Sequence, residues 1–215
     1  MRILVFGATG GTGKSFTRQA LDRGHDVTVF VRDPVKLGIS DDRLHTVTGD
    51  MLDAASVEAA FQGEAFDAVA VIVGMYHRKP QTVVSDGTRN IVTAMQKAGC
   101  RRIGVVTSLG CGDSKGQGSF IARLFQRLSL PEVIADKERQ ETLVSEAGLD
   151  WTFVRPPRLL SADKVNPDLV VWQGAAPTDR KLTWATTRAT VANLLLRVIE
   201  DGSYIGQGLT ISDAK

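Results

Sequence analysis

The sequence predicts an α/β fold, a doubly wound and mainly parallel sheet with helices on both faces. Two observations carry this. Short, continuously apolar runs, the first being Ile3-Leu4-Val5-Phe6, have the length and composition of strands buried on both faces. Between them lie segments with apolar residues at helical spacing, several stopped by a glycine, and this alternation is the pattern of parallel strands joined by helical crossovers. With 215 residues, 43% hydrophobic and 23% charged, the chain has ample material for a core, and no linker or repeat divides it. One domain over residues 1–215 is expected.

Taken in order, residues 12–23 put Phe16, Ala20 and Leu21 on one helical face, with Gly24 as the stop. Residues 27–31 and 44–48 read as strands two and three, and 56–61 as a helix capped by Asp53 or Ser56. Residues 68–73 form the fourth strand. Residues 82–98 carry Val84, Ile91 and Met95 and end in Gly99, a long helix. Residues 102–107 are strand five, 131–147 a helix stopped by Gly148, and 151–155 strand six, halted by Pro156-Pro157. The remainder is less regular, with strands expected at 169–172 and 181–184. One helix there is plain, at 187–200, with Val191, Leu194, Leu195, Val198 and Ile199 on one stripe. Residues from about 156 to 215 are expected to complete the substrate side of a crevice beyond the carboxyl ends of the strands.

Composition narrows the function classes. Twenty-six Lys and Arg against 24 Asp and Glu leave a net charge of +2, too little for binding nucleic acid or membranes by bulk electrostatics. The longest apolar run falls far short of the ~20 residues of a membrane span, and strand character from Ile3 leaves no room for an export signal, so a cytoplasmic location is expected. Cys100 and Cys111 are too few for a disulfide framework, and His25, His45 and His77 have no metal-ligand spacing. No metal is expected.

Between the first strand and first helix stands Gly7-Ala8-Thr9-Gly10-Gly11-Thr12-Gly13. Glycines at this spacing allow a tight turn and let the backbone approach a pyrophosphate, whose charge meets the free amides and positive dipole end of the helix. Gly13-Lys14-Ser15 mimics the end of a nucleoside triphosphate loop, but that loop needs a glycine where Ala8 stands. A dinucleotide is therefore the expected ligand. Strand two ends in Val31-Arg32-Asp33. A carboxylate there suits the ribose of NAD, and an arginine the 2′-phosphate of NADP; Arg32 points to NADP(H), while Asp33 fits either a ribose contact or a turn cap. After strand three, Asp50 is placed either to accept from the adenine amino group or to cap the next helix, with Met51 on the ring. After strand four, Val73-Gly74-Met75 brings backbone close to the cofactor. After strand five, Thr107-Ser108 sets a hydroxyl near the nicotinamide, or simply a turn serine.

These residues resemble the atypical short-chain dehydrogenase/reductase superfamily of Rossmann-type proteins, and within it the biliverdin-IXβ reductase/flavin reductase group. The carriers are residues 6–13, Val31-Arg32-Asp33, Gly49-Asp50, the stretch from Pro80 to Val92, Thr107-Ser108 and Val154-Arg155-Pro156-Pro157. The resemblance implies NADPH bound along Gly7, Thr9, Gly10, Gly11, Thr12, Gly13, Arg32, Asp50, Met51, Val73, Gly74, Met75, Thr107, Ser108 and Pro156. It also implies a monomer and hydride transfer to flavins or linear tetrapyrroles. Alcohol-oxidising members use a Tyr-x-x-x-Lys pair; if Lys137 is that lysine, the tyrosine position is Val133, so alcohol oxidation is disfavoured. Lys137 then serves the nicotinamide ribose or is an exposed helix charge. A conjugated acceptor delocalises the charge it receives and takes its proton from water, which fits the missing tyrosine. Ser108 would position the nicotinamide or the acceptor. Arg158, where mammalian members carry histidine, would draw propionate or phosphate groups. Tyr76, His77, Arg78 and Trp172 are further pocket candidates, although packing accounts for Trp172 equally well. The alternative is an NmrA-like regulator that senses NAD(P) without turning it over.

Overall fold

A computed structural model describes residues 1–74, 81–120, 123–124, 128 and 130–215. Its main sheet has the spatial order β3-β2-β1-β4-β5-β6-β10-β8. The strands are β1 (Arg2–Phe6), β2 (Asp26–Val31), β3 (Leu44–Thr48), β4 (Ala68–Val71), β5 (Arg102–Val106), β6 (Asp150–Arg155), β8 (Leu169–Trp172) and β10 (Gln207–Asp213). All pairs are parallel except β10 with β8. The order reverses between β1 and β4, where a crevice opens at the carboxyl ends of doubly wound sheets. Two short strands, β7 (Arg158–Leu160) and β9 (Ala185–Thr187), pair separately in parallel.

Alternation along each strand sends side chains to two cores. Ile3 and Val5 face α1 (Gly11–Asp22) and α5 (Arg188–Asp201), where Phe16, Ala20, Val191 and Leu195 bury. Leu4 and Phe6 face the other layer, where Val57 of α2 (Ala54–Ala59), Ile91 and Met95 of α3 (Val83–Ala98) and Val144 of α4 (Pro131–Ser145) pack with Phe153. Each such fully buried side chain contributes about 1.5–3 kcal/mol. Gly104 shows how tightly α5 is pressed on the sheet: a Cβ there would stand 2.8 Å from Leu195 and 2.9 Å from Ile199.

Helix ends follow local chemistry. Asp53, not Ser56, caps α2, accepting from the Ala55 amide at 3.1 Å, so the helix starts two residues before the expected 56. Thr187 caps α5 through the Thr190 amide at 3.0 Å, and α3 and α5 end on left-handed Gly99 and Gly202. The amino end of α3 is capped from outside its own sequence. Asp136 of α4, 1% exposed, accepts from the amides of Val84 (2.9 Å) and Ser85 (3.2 Å) and from the Ser85 hydroxyl (2.5 Å).

The irregular last quarter departs from expectation in two places. The strand expected at 181–184 is absent: Leu182 makes one isolated bridge to Ala214, Trp184 turns the chain at φ 54°, and the strand forms instead at Ala185–Thr187. β10 was not expected, yet it sits inside the sheet between β6 and β8. Leu209 and Ile211 alternate with Thr210 and Ser212 along it, a period-2 signal lying in plain view.

Candidate functional site

The crevice is built first by main chain. β1 delivers Gly7, which turns at φ +85° with its α-carbon so close to β4 that a Cβ would collide with the Ile72 carbonyl oxygen. A Cβ on Gly13 would overlap the Gly7 carbonyl oxygen, so only glycine lets α1 start this near the loop. The turn closes by a hydrogen bond from the Gly10 amide to the Gly7 carbonyl, 3.1 Å. Gly10 caps α1 without a side chain, and the first-turn amides are left to face an anion.

A cavity of about 370 Å³ adjoins this turn, lined by Gly7, Thr9, Gly10, Arg32, Asp50, Met51, Val73 and Gly74 among the expected residues. Gly11, Thr12 and Gly13 continue from it into α1. Phe6, Val31, Gly49 and Val83, from the stretches that carry the resemblance, also line it, as do Phe30, Leu52 and Ile72, which were not anticipated. Most stand next to an expected residue at a strand's carboxyl end, so carrying the topological rule one position further would have found them. The tilted Phe6 and Phe30 rings, 5.0 Å apart, stack together on its wall.

Electrostatics at the rim separate the two neighbours at the end of β2. Asp33 is occupied: it accepts from the Val35 amide (3.2 Å) and pairs with Lys36 (3.3 Å), capping a turn at Pro34–Lys36. Arg32 is exposed and has no hydrogen-bond or carboxylate partner among the described residues. Asp50 accepts from the Leu52 amide at 3.0 Å, fixing its carboxylate at the cavity edge. Met51 is anchored to α3, its carbonyl accepting from Asn90 at 2.9 Å and its methyl end seated on Gly87.

The other expected residues gather beyond β5 and β6, outside this cavity. The Leu109 amide donates to the Pro156 carbonyl at 2.9 Å, which sets Ser108 beside Pro156. Ser108 is half-buried, its hydroxyl donating to the Leu109 carbonyl at 3.1 Å. Thr107 points inward, its hydroxyl 2.6 Å from Glu141. Lys137 is not an exposed helix charge. It is 4% exposed and donates to the carbonyls of Val73 (2.6 Å) and Val106 (2.9 Å) and to Gln140 (3.1 Å), clamping the ends of β4 and β5. Burial pushes its ammonium down to about 8 and the adjacent Cys111 thiol up to about 12, so Cys111 remains a neutral thiol at neutral pH.

Arg158 opens β7 on the surface, with no polar partner among the described residues. Its neighbour Arg155 is buried and grips both oxygens of Glu141 at 2.8 Å while also pairing with Asp113. Asp113 accepts from the Gly174 amide (2.9 Å), and Trp172 donates to Gln117 (3.0 Å), so this network ties the segment after β5 to β6, α4 and β8. Trp172 packs edge-on against Trp184 in a small core and is 9% exposed, which makes it a packing residue. Met75, Tyr76, His77 and Arg78 lie outside the described residues.

A reversed strand order, a glycine turn that only glycine can make and an arginine at the end of β2 with no partner among the described residues define a dinucleotide-binding α/β protein. The chain belongs to the NAD(P)H-binding family, whose model matches residues 7–202. An uncharacterised chloroplastic protein of Arabidopsis thaliana is 34% identical over 165 residues, which cover 72% of this chain but only 58% of that relative. Among solved structures, ChuY, an anaerobilin reductase from Escherichia coli O157:H7, superposes with a TM-score of 0.78 at 24% identity over 99% of this chain and 97% of its own. A short-chain dehydrogenase/reductase from Veillonella parvula, in complex with NADP, gives 0.78 at 17% identity, covering 99% and 94%. At these identities the shared feature is the fold. No described helix is long and apolar enough to cross a membrane.

Proposed function

We propose that this chain is an NADPH-dependent reductase that passes hydride to an extended conjugated acceptor, a flavin or a linear tetrapyrrole. One observation carries the reading. Lys137, which the resemblance puts at the place of the superfamily's catalytic lysine, has its three protons engaged by Val73, Val106 and Gln140, and the same resemblance puts Val133 at the tyrosine position. A site without that acid–base pair suits an acceptor that needs only hydride from the protein complex and draws its proton from water. The bound nicotinamide supplies the hydride; the chain's part is to hold it against a planar acceptor in near-attack geometry.

On this reading Gly7, Thr9, Gly10, Gly11, Thr12 and Gly13 seat the pyrophosphate, and Arg32 takes the 2′-phosphate, favouring NADPH over NADH. Asp50 and Met51 border the adenine, while Val73 and Gly74, with Thr107 and Pro156, flank the ribose and nicotinamide. Ser108 orients the reacting rings, and Arg158 attracts the acceptor's propionate or phosphate. Lys137 acts as a positioning residue for β4 and β5. Residues 1–215 work as one domain, a cytoplasmic monomer, with residues from about 156 onward on the acceptor side. The resemblance of fold to an anaerobilin reductase supports a tetrapyrrole-type acceptor.

The test is steady-state NADPH oxidation with FMN, riboflavin and biliverdin, beside calorimetric NADPH binding. Turnover of at least one acceptor is expected. Tight NADPH binding with no turnover of any of them would overturn the reductase reading in favour of an NAD(P)-sensing regulator.

A further inference from the structure

Arg188 opens α5 with no carboxylate partner among the described residues. Its stem crosses Gly11, the first residue of α1: a Cβ on Gly11 would lie 2.7 Å from Arg188 Cδ and 3.1 Å from its Nε. The crossing is fixed by helix packing, because Gln19 of α1 donates to the Ala189 carbonyl and accepts from Asn193, each at 3.0 Å. The guanidinium's hydrogen bond among the described residues is a 2.6 Å contact to the Ser161 hydroxyl, a neutral partner. Neither α1 nor α5 carries an acidic residue in its first turn. A cation set against the positive poles of two helices is unfavourable on its own, and an anion between them relieves all three.

We propose that Arg188 is a side-chain clamp on the cofactor's pyrophosphate, reaching across Gly11 to oxygens that the first-turn amides of α1 also hold. This rests on NAD(P)H occupying the glycine turn and is independent of which acceptor is reduced. It gives Gly11 a purpose beyond backbone approach, since a Cβ at residue 11 would make the arginine stem shift from this path. It also divides the phosphates between two arginines. Arg32 serves the 2′-phosphate that NADPH has and NADH lacks, whereas Arg188 serves the pyrophosphate common to both.

Calorimetric titration of four ligands separates these roles: NADPH, NADH, ADP and adenosine 2′-monophosphate, which has no pyrophosphate. Arg188→Gln is expected to weaken NADPH, NADH and ADP by about 10- to 100-fold, the range for a charge-assisted hydrogen bond, and to change adenosine 2′-monophosphate less than about twofold. Ser161→Ala, which removes only the neutral partner, is expected to leave all four affinities in place. Unchanged ADP binding by Arg188→Gln would overturn the proposal. So would an equal loss in Ser161→Ala, which would reduce Arg188 to a tether for the segment after β7, or an equal loss of all four ligands in Arg188→Gln, which would mark local unfolding. Arg188→Lys keeps the charge and folds under the same packing; its affinities are expected between those of wild type and Arg188→Gln, and a loss as deep as that of Gln would overturn the clamp. A wild-type protein that binds none of the four would instead refute the cofactor reading itself.

Discussion

In the proposed adenosine half of the crevice the main chain does the positioning, through Gly7 and Gly13 packed against neighbouring carbonyls, and Arg32 at the rim is exposed. Beyond β5 and β6 the roles are exchanged. There Arg155, Glu141, Asp113 and Lys137 sit among hydrogen bonds in the interior, and loops hang from them. The contrast fits the tasks. Under the proposed function, a pyrophosphate and adenine are constant ligands that a rigid turn serves well, while an acceptor pocket needs loops that vary around anchors that do not.

The sharpest way to break this contrast is Glu141→Ala. It leaves the buried Arg155 guanidinium with Asp113 as its remaining carboxylate partner among the described residues and is expected to cost up to about 3–5 kcal/mol in denaturant unfolding; a cost below about 1 kcal/mol would show the interior network to be dispensable. Arg32→Ala acts on the opposite half. NADPH affinity is expected to fall by about 1.5–3 kcal/mol with little loss of stability, and NADH much less; equal losses for the two would remove its 2′-phosphate role. Lys137→Met leaves the Val73 and Val106 carbonyls without their donor, so a loss of about 1–3 kcal/mol in stability is expected; undiminished stability would place the lysine's role at the cofactor. The smallest effect belongs to Ser108→Ala, where turnover drops by about 2- to 10-fold, the worth of one neutral hydrogen bond, with NADPH affinity unchanged. Unaltered turnover would take Ser108 out of the chemistry.

The sequence made the adenosine half legible because its signals are local. A strand buried on both faces has to be apolar throughout, a turn at φ +85° selects glycine, and both leave their mark within residues 3–13. The interior of the other half was not legible in the same way. Lys137 looks like any solvated helix lysine until β4 and β5 bring two carbonyls to it, and Asp136 shows nothing of the α3 cap it makes across 52 residues of chain. The turn at Trp184 defeated the strand expected at 181–184, because a tryptophan at positive φ has no composition signature. β10 carries its signal in the alternation of Leu209 and Ile211 with Thr210 and Ser212, in a segment of only seven residues near the end of the sequence.

Asp136 and Lys137 are consecutive in α4, yet one holds the start of α3 through Val84 and the other the end of β4 through Val73. A single peptide unit thus staples both edges of the stretch from 74 to 83, whatever lies within it. Doubling the length of a chain segment whose ends are already fixed costs only about 0.6 kcal/mol in closure entropy. The end of β4 and the start of α3 are therefore held in register with the sheet by α4 itself, at a closure cost that depends little on how many residues join them.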